Sequence, residues 1–357
     1  MGTVVAPDTA GRLEMSIQGK TCFPALFVIL VLAFVCVAVP PRSAPARSKA
    51  NEKALPRLMK SEGFVAPPNF KAVVIKVKFD RTRNHVVARQ AFDYNGTSTD
   101  RNWNAASSIK FFAAVGALNR VKALGFNIDA RVTFDGEKPY STTVRKLVED
   151  AIIKSDNIAY DRLVQLAGFD RLHTRVLIPR YGISNTSLMK AYQQGDWTAM
   201  GQDNSLRVAP KITLKQGKKT KVIPASRGKA KRPCHSSVCT DLRDIAEGMA
   251  TLLLQDQLGP KRSFDLAKRD YDALLRAMME DRSRGNEAVD YLRKGLNNKK
   301  ARFFSKPGYS EGWYSSVIYV YIKGKPAYII AMAARPDREA LNSAAQIIGK
   351  LIRKGRL

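Results

Sequence analysis

Three short motifs follow one another along this 357-residue chain: Ser107-Ser108-Ile109-Lys110, Ser155-Asp156-Asn157 and Lys306-Pro307-Gly308. A Ser-x-x-Lys, a Ser-x-Asn and a Lys-x-Gly in this order can form one nucleophilic site whose serine is activated by a lysine. The chain has three histidines, and no Ser-His-Asp arrangement can be recognised among them. The motifs therefore predict a nucleophilic serine that is activated by a lysine.

Each motif is short enough to recur by chance in a lysine-rich chain. Ser187-Leu188-Met189-Lys190 and Ser226-Arg227-Gly228-Lys229 also fit the first pattern, and Lys215-Gln216-Gly217 fits the third. A Ser-Asp-Asn triplet is rarer, at roughly one chain in twenty of this length. The order of the motifs and the elements around them decide between the copies.

The first motif precedes a segment with helical periodicity. Its apolar positions are Phe111, Val115, Leu118 and Val121, a spacing that predicts a buried helix. Ser107 would lie at the N-terminal end, where free N–H groups favour developing negative charge. Lys110 would share its face and, when desolvated, could accept the serine proton. The alternative is a serine N-cap beside a surface lysine.

The second motif lies between two apolar helical stripes. The stripe before it comprises Val144, Leu147, Val148, Ala151 and Ile152, and the one after it comprises Tyr160, Leu163, Val164 and Ala167. Polar side chains at such a junction can point into a cleft. An ordinary Asp or Asn helix cap is the alternative interpretation.

The third motif precedes two segments rich in Val, Ile and Tyr, which predict two strands joined at Lys323-Gly324-Lys325. Lys306 would lie on an edge or inner strand lining a cleft. Pro307 removes one backbone donor, which suits an edge position. The alternative is an ordinary strand end in a basic protein.

These motifs and the stretch TVRKLVEDAIIKSDNIAYDRLVQLAG resemble the penicillin-recognising serine enzymes, most closely the class A β-lactamase-like group. The resemblance extends from about Phe70 to the C-terminus. It implies an α/β (α+β) fold of the β-lactamase/transpeptidase type, in which helices flank a five-stranded antiparallel sheet beside an all-helical subdomain. The segments FKAVVIKVKFD and HVVARQAFDY would supply the first strands.

The resemblance also implies roles for the residues of the first motif. Ser107 would be the nucleophile that forms an acyl-enzyme, and Lys110 would help to deprotonate it. The backbone N–H groups of Ser107 and Tyr309 would form the oxyanion hole, in which one donor is often worth about 3 kcal/mol.

Further roles are implied for the second and third motifs. Ser155 would pass a proton to the leaving nitrogen, and Asn157 would hold the substrate amide. Lys306 would attract a substrate carboxylate and influence Ser155, and Gly308 would line the substrate-binding strand. The implied reaction requires no cofactor.

Two positions depart from the class A pattern. Class A β-lactamases carry a glutamate after the Ser-Asp-Asn helix that activates the deacylating water, and this chain has no glutamate between Glu149 and Glu247. We interpret Asp161 and Asp170 as helix-surface or capping residues. The other acids considered there are Asp196, Asp203, Asp241 and Asp244, of which Asp196 or Asp203 is the candidate substitute.

The second departure is Pro307, which replaces the Thr or Ser that is usual at the middle position of the third motif. Acylation is therefore expected, whereas efficient β-lactam hydrolysis is not.

The N-terminal region has the composition of an export signal. Residues 1–46 contain an apolar run from Cys22 to Val39 followed by the small-residue site Ala44-Pro45-Ala46, which predicts a signal peptide. An uncleaved membrane anchor is the alternative, and Met15 is an alternative start. Residues 47–69 are interpreted as a Pro-, Ala- and Lys-rich linker, and residues 70–357 as one catalytic domain. The protein is expected to be periplasmic or extracellular.

The chain has four cysteines, of which Cys234 and Cys239 lie beyond the leader. Two thiols five residues apart in an oxidising compartment favour a local disulfide. His235 adds one further metal-binding group, which is too few to predict a metal site.

The net charge is +29, and residues 47–357 retain 57 basic against 29 acidic residues. Such a surface attracts polyanions. Nucleic acid is the less favoured partner because no nucleic-acid-binding motif is present; anionic cell-wall polymer or lipid headgroups fit an exported protein better. The densest basic segment lies in an inserted hairpin at about 205–235, with strands near 206–214 and 219–224. A solvated loop is the alternative.

Two functional hypotheses follow. The first is an exported serine hydrolase, β-lactamase-like or D,D-peptidase-like, that acts on a small β-lactam, a peptidoglycan peptide or another amide or ester. The second is a catalytically weak relative that binds anionic wall polymer through its basic surface.

Overall fold

The computed structural model describes residues 50–136, 139–192, 205–231, 238–279 and 286–357. The strands are β1 (Ala50–Asn51), β2 (Lys71–Phe79), β3 (Val86–Asp93), β4 (Arg131–Phe134), β5 (Tyr140–Thr143), β6 (Ser187–Leu188), β7 (Val208–Ala209), β8 (Ile212–Gln216), β9 (Lys219–Ile223), β10 (Ser226–Arg227), β11 (Val238–Cys239), β12 (Arg302–Ser310), β13 (Trp313–Tyr321) and β14 (Ala327–Ala334). The α-helices are α1 (Ala54–Ser61), α2 (Lys110–Ala123), α3 (Val144–Ile152), α4 (Asn157–Ala167), α5 (Phe169–Arg171), α6 (Leu242–Leu253), α7 (Gln255–Leu258), α8 (Lys268–Met279), α9 (Glu287–Leu296) and α10 (Arg338–Arg353).

The main sheet has the order β1-β3-β2-β14-β13-β12. Its five long strands are antiparallel, as expected from the sequence, and β1 adds a two-residue parallel pairing to β3. The central strand β14 is buried along its whole length, which explains why its sequence is continuously apolar rather than alternating. Strand β12 forms one edge of the sheet, so its outer side can contact the helical part of the chain.

Apolar side chains pack on both faces of this sheet. On one face they come from α1, α9 and α10. On the other face they come from the helical block that includes α2, α3, α4, α6 and α8. Helix α2 lies inside that block, and its residues from Lys110 to Leu118 are all buried, as expected for a helix that is apolar on nearly every side.

The stretch interpreted as a linker contains an ordered helix instead. Within α1, Leu55 and Met59 are completely buried and belong to the core beneath α10. They are four residues apart, so they share one helical face. Pro56, Arg57 and Lys60 give this short segment a linker-like composition, although its buried face anchors it.

The predicted basic hairpin is present as β8 and β9, with narrower bounds than expected. It does not stand alone, because β8 pairs with β4 and completes a second sheet of order β5-β4-β8-β9. Residues 219–222 of the outer strand β9 are exposed. The hairpin is therefore anchored on one side and presents its lysines to solvent on the other.

Several predictions fall outside the described residues. They concern the leader 1–46, the acids Asp196 and Asp203, and the pair Cys234 and His235. Within the described ranges, every helix is too short or too polar to span a bilayer.

Candidate active site

Ser107 lies in a 3-10 turn, Ala106–Ile109, that leads directly into α2. The preceding Ala106 has a left-handed φ of 47°, a conformation that non-glycine residues adopt only when their surroundings hold it. Asn104 Oδ1 accepts a hydrogen bond from the Ala106 N–H at 2.9 Å, and the Tyr192 hydroxyl donates to the Ala106 carbonyl at 2.8 Å. The turn thus fixes Ser107 at a helix N-terminus and on the wall of a cavity of about 600 Å³.

Lys110 is completely buried, which excludes the surface-lysine interpretation. Its Nζ donates hydrogen bonds to the Ser155 carbonyl and, at 2.6 Å, to Asn157 Oδ1. The same Nζ lies 5.9 Å from the ring centre of Tyr160 and 5.7 Å from that of Tyr192. The structure therefore brings the first and second motifs together around one amine.

Burial and, to a smaller extent, the positive charge of Lys306 lower the pKa of Lys110 to about 7. Asp156 and Asp161 oppose this effect because their negative charges favour the ammonium form. A substantial fraction of Lys110 is therefore neutral near pH 7. A neutral amine can accept a proton, so Lys110 has the properties of a general base.

Ser155 occupies the tight turn between α3 and α4, with a left-handed φ of 57°. Asp156 holds this turn in place, because its side chain accepts the Ala159 N–H at 2.7 Å and caps α4. The helix cap that was the alternative interpretation of this motif is therefore present, and Asp156, its middle residue, provides it. Asn157 on one side of Asp156 contacts Lys110, and Ser155 on the other side contacts Lys306.

Lys306 is buried on the edge strand β12, and its Nζ donates to Ser155 Oγ at 3.1 Å. Gly308 allows this strand to approach the nucleophile turn. A Cβ built on Gly308 would lie 2.5 Å from the Ala105 carbonyl oxygen and 2.8 Å from the Ser108 nitrogen. Only a residue without a side chain permits this approach.

Pro307 and Tyr309 indicate which way the backbone of β12 points. Pro307 has no N–H and occupies a position whose backbone nitrogen faces the open edge of the sheet. Backbone N–H groups two residues apart on a strand point to the same side, so the N–H of Tyr309 faces this open edge as well. The same edge approaches the Ser107 turn. The Tyr309 N–H is therefore directed toward the region predicted as the oxyanion hole.

The cavity beside Ser107 also exposes Asn157 and Tyr309. Trp103 and Trp313 form part of its wall, with ring centres 6.2 Å apart in an edge-to-face arrangement. The charged side chains on the wall are Arg101, Lys190, Arg335 and Glu311. The positive excess favours an anionic ligand. Sequence reasoning did not identify this set, since Lys190 occurs only in a competing motif copy, the other three belong to no motif, and the four converge only in the fold.

Lys190 is the one residue of the competing motif copies on the cavity wall. Ser187 is buried in β6, Ser226 is exposed in β10 and Lys215 is in the basic hairpin. None of the three lines the cavity beside Ser107. The copies chosen by their order in the sequence, at Ser107, Ser155 and Lys306, are therefore the ones that the fold brings together.

The acids considered as substitutes for the missing glutamate have structural contacts. Asp161 is completely buried in α4, and its Oδ1 accepts the Tyr192 N–H at 3.0 Å. Its interpretation as a helix-surface or capping residue was therefore wrong. Asp170 is exposed and accepts the N–H groups of Lys229 and Ala230, both at 2.7 Å.

Two further acids lie at the start of α6. Asp241 caps this helix by accepting the Asp244 N–H at 2.7 Å. Burial and the nearby Asp241 raise the pKa of Asp244 to about 6, and its carboxylate accepts the Asn185 N–H at 2.6 Å. None of the acids at positions 150–192, 205–231 or 238–246 lines the cavity.

Cys239 lines the cavity and is disulfide-bonded. Cys234 lies outside the described residues, so the pairing of these two cysteines stays a prediction.

The fold is similar to that of known enzymes. A class A β-lactamase of the last common ancestor of Gram-negative bacteria shares 19% sequence identity and a TM-score of 0.53, over 85% of this chain and 98% of that one. A mutant of PBP-A, solved as an acyl-enzyme complex with penicillin G, shares 18% identity and a TM-score of 0.55, over 87% and 99% of the two chains. At these identities the likeness establishes the fold. No curated protein gives a significant match.

A family model described as the beta-lactamase enzyme family matches residues 80–354. The match includes all three motifs, the main helical block and every long strand except β2. Because it covers most of the chain, this protein belongs to the beta-lactamase enzyme family.

Proposed function

We propose that the protein is an exported serine hydrolase that forms an acyl-enzyme on Ser107 with an amide or ester, either a β-lactam or a peptidoglycan peptide. The observation that carries the proposal is the environment of Lys110. A buried lysine with a pKa of about 7 that contacts the Ser-Asp-Asn motif is suited to deprotonate a serine three residues away.

In the proposed acylation, neutral Lys110 accepts the proton of the Ser107 hydroxyl while the serine oxygen attacks the substrate carbonyl carbon. The resulting oxyanion receives hydrogen bonds from the N–H groups of Ser107 and Tyr309. These two donors would stabilise the oxyanion because their positions are fixed before the reaction, one at the start of a helix and one on a sheet edge.

The leaving nitrogen must receive a proton before the C–N bond breaks. Ser155 is the proposed donor, and Lys306 can replenish its proton through the 3.1 Å hydrogen bond to Ser155 Oγ. Asn157 Oδ1 is engaged by Lys110, which leaves its NH₂ group for the substrate amide. Lys306 and the cationic cavity wall would attract a substrate carboxylate.

Deacylation is proposed to be slow. Asp161, Asp170 and Asp241 do not line the cavity, and each accepts a hydrogen bond from a backbone N–H group. Because the chain has no glutamate between Glu149 and Glu247, a water molecule near the acyl bond would lack the glutamate base that class A β-lactamases provide. The expected product with penicillin is a long-lived adduct.

The test is to incubate the purified protein with penicillin and to measure its intact mass over time. An adduct is expected in the wild type and in Ser226→Ala, which removes the serine of a competing motif copy, and not in Ser107→Ala. Rapid loss of penicillin without an adduct would refute slow deacylation. Absence of both adduct and penicillin loss would exclude penicillin as a substrate and direct the assay to peptidoglycan peptides.

A second candidate function is binding of anionic cell-wall polymer. The exposed lysines of the basic hairpin support it, namely Lys215, Lys218, Lys219 and Lys221. Sedimentation with anionic wall polymer separates the two functions, because Ser107→Ala should abolish acylation and leave polymer binding intact. If polymer binding is the only activity found in the wild type, the hydrolase proposal fails.

Export is proposed from the leader sequence, and a Cys234–Cys239 disulfide is proposed from the oxidising compartment that export implies. Mass analysis of the secreted protein with and without reduction tests both. A mature N-terminus near residue 47 and a mass increase of about 2 Da on reduction are expected.

A further inference from the structure

A second cavity, of about 460 Å³, lies at the C-terminal end of α2. Arg120 on its wall follows Lys110 by ten residues of the same helix, which places it roughly 15 Å further along the helix axis. The other charged residues on the wall are Arg171, Arg227 and Asp170. This cavity is thus separate from the active site and carries three guanidinium groups against one carboxylate.

The hydrogen-bond partners of two of these arginines are uncharged. Arg120 Nη1 donates to the Ala167 carbonyl at 3.2 Å, and Arg171 Nη2 donates to Asn119 Oδ1 at 2.8 Å. The carboxylate of Asp170 is engaged by the Lys229 and Ala230 N–H groups. Among the described residues, neither Arg120 nor Arg171 has an acidic partner within ion-pair distance.

The two positive charges also lie close enough to affect each other. Burial lowers the pKa of Arg120, and the charge of Arg171 lowers it further. Burial and the charge of Arg175 likewise lower the pKa of Arg171. The Nε of Arg171 is buried and has no hydrogen-bond acceptor among the described residues. A buried donor without an acceptor is costly, so an oxyanion that supplied one would stabilise this arrangement.

Two glycines shape the cavity. A Cβ on Gly168, whose φ is +78°, would collide with the guanidinium of Arg120, so glycine leaves room for that side chain. A Cβ on Gly228 would lie 2.5 Å from Phe169 Cδ1, so this glycine lets the β10 segment pack against Phe169. That packing brings Ser226 and Arg227 to the cavity wall.

We propose that this cavity binds a phosphate group through Arg120, Arg171 and Arg227. Planar guanidinium groups match phosphate oxygens in pairs, and several of them compensate the two negative charges of a phosphate monoester. The Ser226 hydroxyl is a further donor on the wall. Leu124 and Phe169 provide an apolar surface for the group that carries the phosphate.

The test is calorimetric titration of the full-length protein with inorganic phosphate, with chloride at the same ionic strength as the reference. Saturable binding is expected in the wild type, at least tenfold weaker binding in Arg171→Gln and Arg227→Gln, and an intermediate loss in Arg171→Lys. Lys215→Gln, which removes one charge from the exposed hairpin, should bind as the wild type does. Circular dichroism confirms that the variants fold.

The source of the phosphate is distinguished by two further ligands. Binding of glycerol 3-phosphate at the same site would identify a soluble phosphomonoester as the ligand. Sedimentation with phosphatidylglycerol vesicles, without binding of glycerol 3-phosphate, would identify a lipid headgroup. Binding no stronger than that of chloride, or equal losses in Lys215→Gln and Arg171→Gln, would overturn the proposal. Acylation of Ser107 is expected to proceed normally in all these variants, so the two proposals fail independently.

Discussion

Lys306 Nζ donates a hydrogen bond to Ser155 Oγ at 3.1 Å, which joins the edge strand β12 to the turn between α3 and α4. The carbonyl of the same Ser155 accepts a hydrogen bond from Lys110. Two buried lysines therefore meet at one residue. Because like charges disfavour each other, the charge on Lys306 helps to lower the pKa of Lys110. The sheet edge and the helical block are thus electrostatically coupled at the proposed site.

The rate of Ser107 acylation should rise with pH through a midpoint of about 7. Lys110 acts as a base only when deprotonated, so activity is lost as the pH falls through its folded pKa of about 7. Lys110→Met should lower the rate by roughly 10²-fold or more and remove this dependence. The measurement is the rate of adduct formation between pH 5.5 and 9. Lys122→Met, at a partly exposed position of the same helix, should retain both rate and midpoint. A pH-independent wild-type rate would contradict the role of Lys110.

Lys306→Met should move this midpoint to higher pH. Removing the second positive charge makes the Lys110 ammonium easier to form, so a higher pH is needed to deprotonate it. The maximal rate should also fall, by about 10²-fold, because Ser155 loses its charged hydrogen-bond donor. The pH–rate profile separates the two effects, and a lower rate with an unchanged midpoint would show that the charges are not coupled.

Asp161→Asn should move the midpoint in the opposite direction, to lower pH. The buried carboxylate of Asp161 favours the ammonium form of Lys110, and an amide does not. Asparagine keeps an oxygen that can accept the Tyr192 N–H, so the fold around the site should persist. Asp170→Asn provides the control, since Asp170 is exposed and bonds a different segment. Equal profiles for the two variants would disprove the influence of Asp161.

Gly308→Ala should destabilise the protein by about 1–3 kcal/mol and abolish rapid acylation. The added methyl group would meet the backbone at Ala105 and Ser108, which cannot rotate away as a side chain can. Strand β12 would therefore move from the nucleophile turn and take the Tyr309 N–H with it. Urea unfolding and adduct formation are the measurements. Ser310→Ala on the same strand loses only a 3.4 Å hydrogen bond to Asn104 and should remain near wild type.

Leu55→Ala should lower the free energy of unfolding by about 2–5 kcal/mol, as expected for truncation of a fully buried leucine. Residues 47–69 would tolerate this change if they were a linker. Arg57→Ala, on the exposed face of α1, should change stability by less than about 0.5 kcal/mol. Equal urea midpoints for Leu55→Ala and the wild type would show that α1 does not stabilise the core.

Local sequence determined the elements and the motif order of this protein. The apolar stripes before and after Ser155 predicted α3 and α4, and the Val-, Ile- and Tyr-rich segments predicted β13 and β14. These patterns depend on residues three to four apart in a helix or two apart in a strand. Such residues can be recognised in the sequence because the regular period of a helix or strand places them on the same face.

Only the tertiary structure decided which groups are buried. Lys110 acquires its lowered pKa because it is buried beside Asn157 of α4 and Lys306 of β12, and the buried Asp161 accepts the N–H of Tyr192, 31 residues away in the chain. The cavity of Arg120 and Arg171 likewise requires α2, α5 and β10 to converge. Desolvation depends on segments far apart in the chain, and its effect on charged groups is large. The sequence could therefore indicate the reacting residue types, whereas the fold determined their protonation and their surroundings.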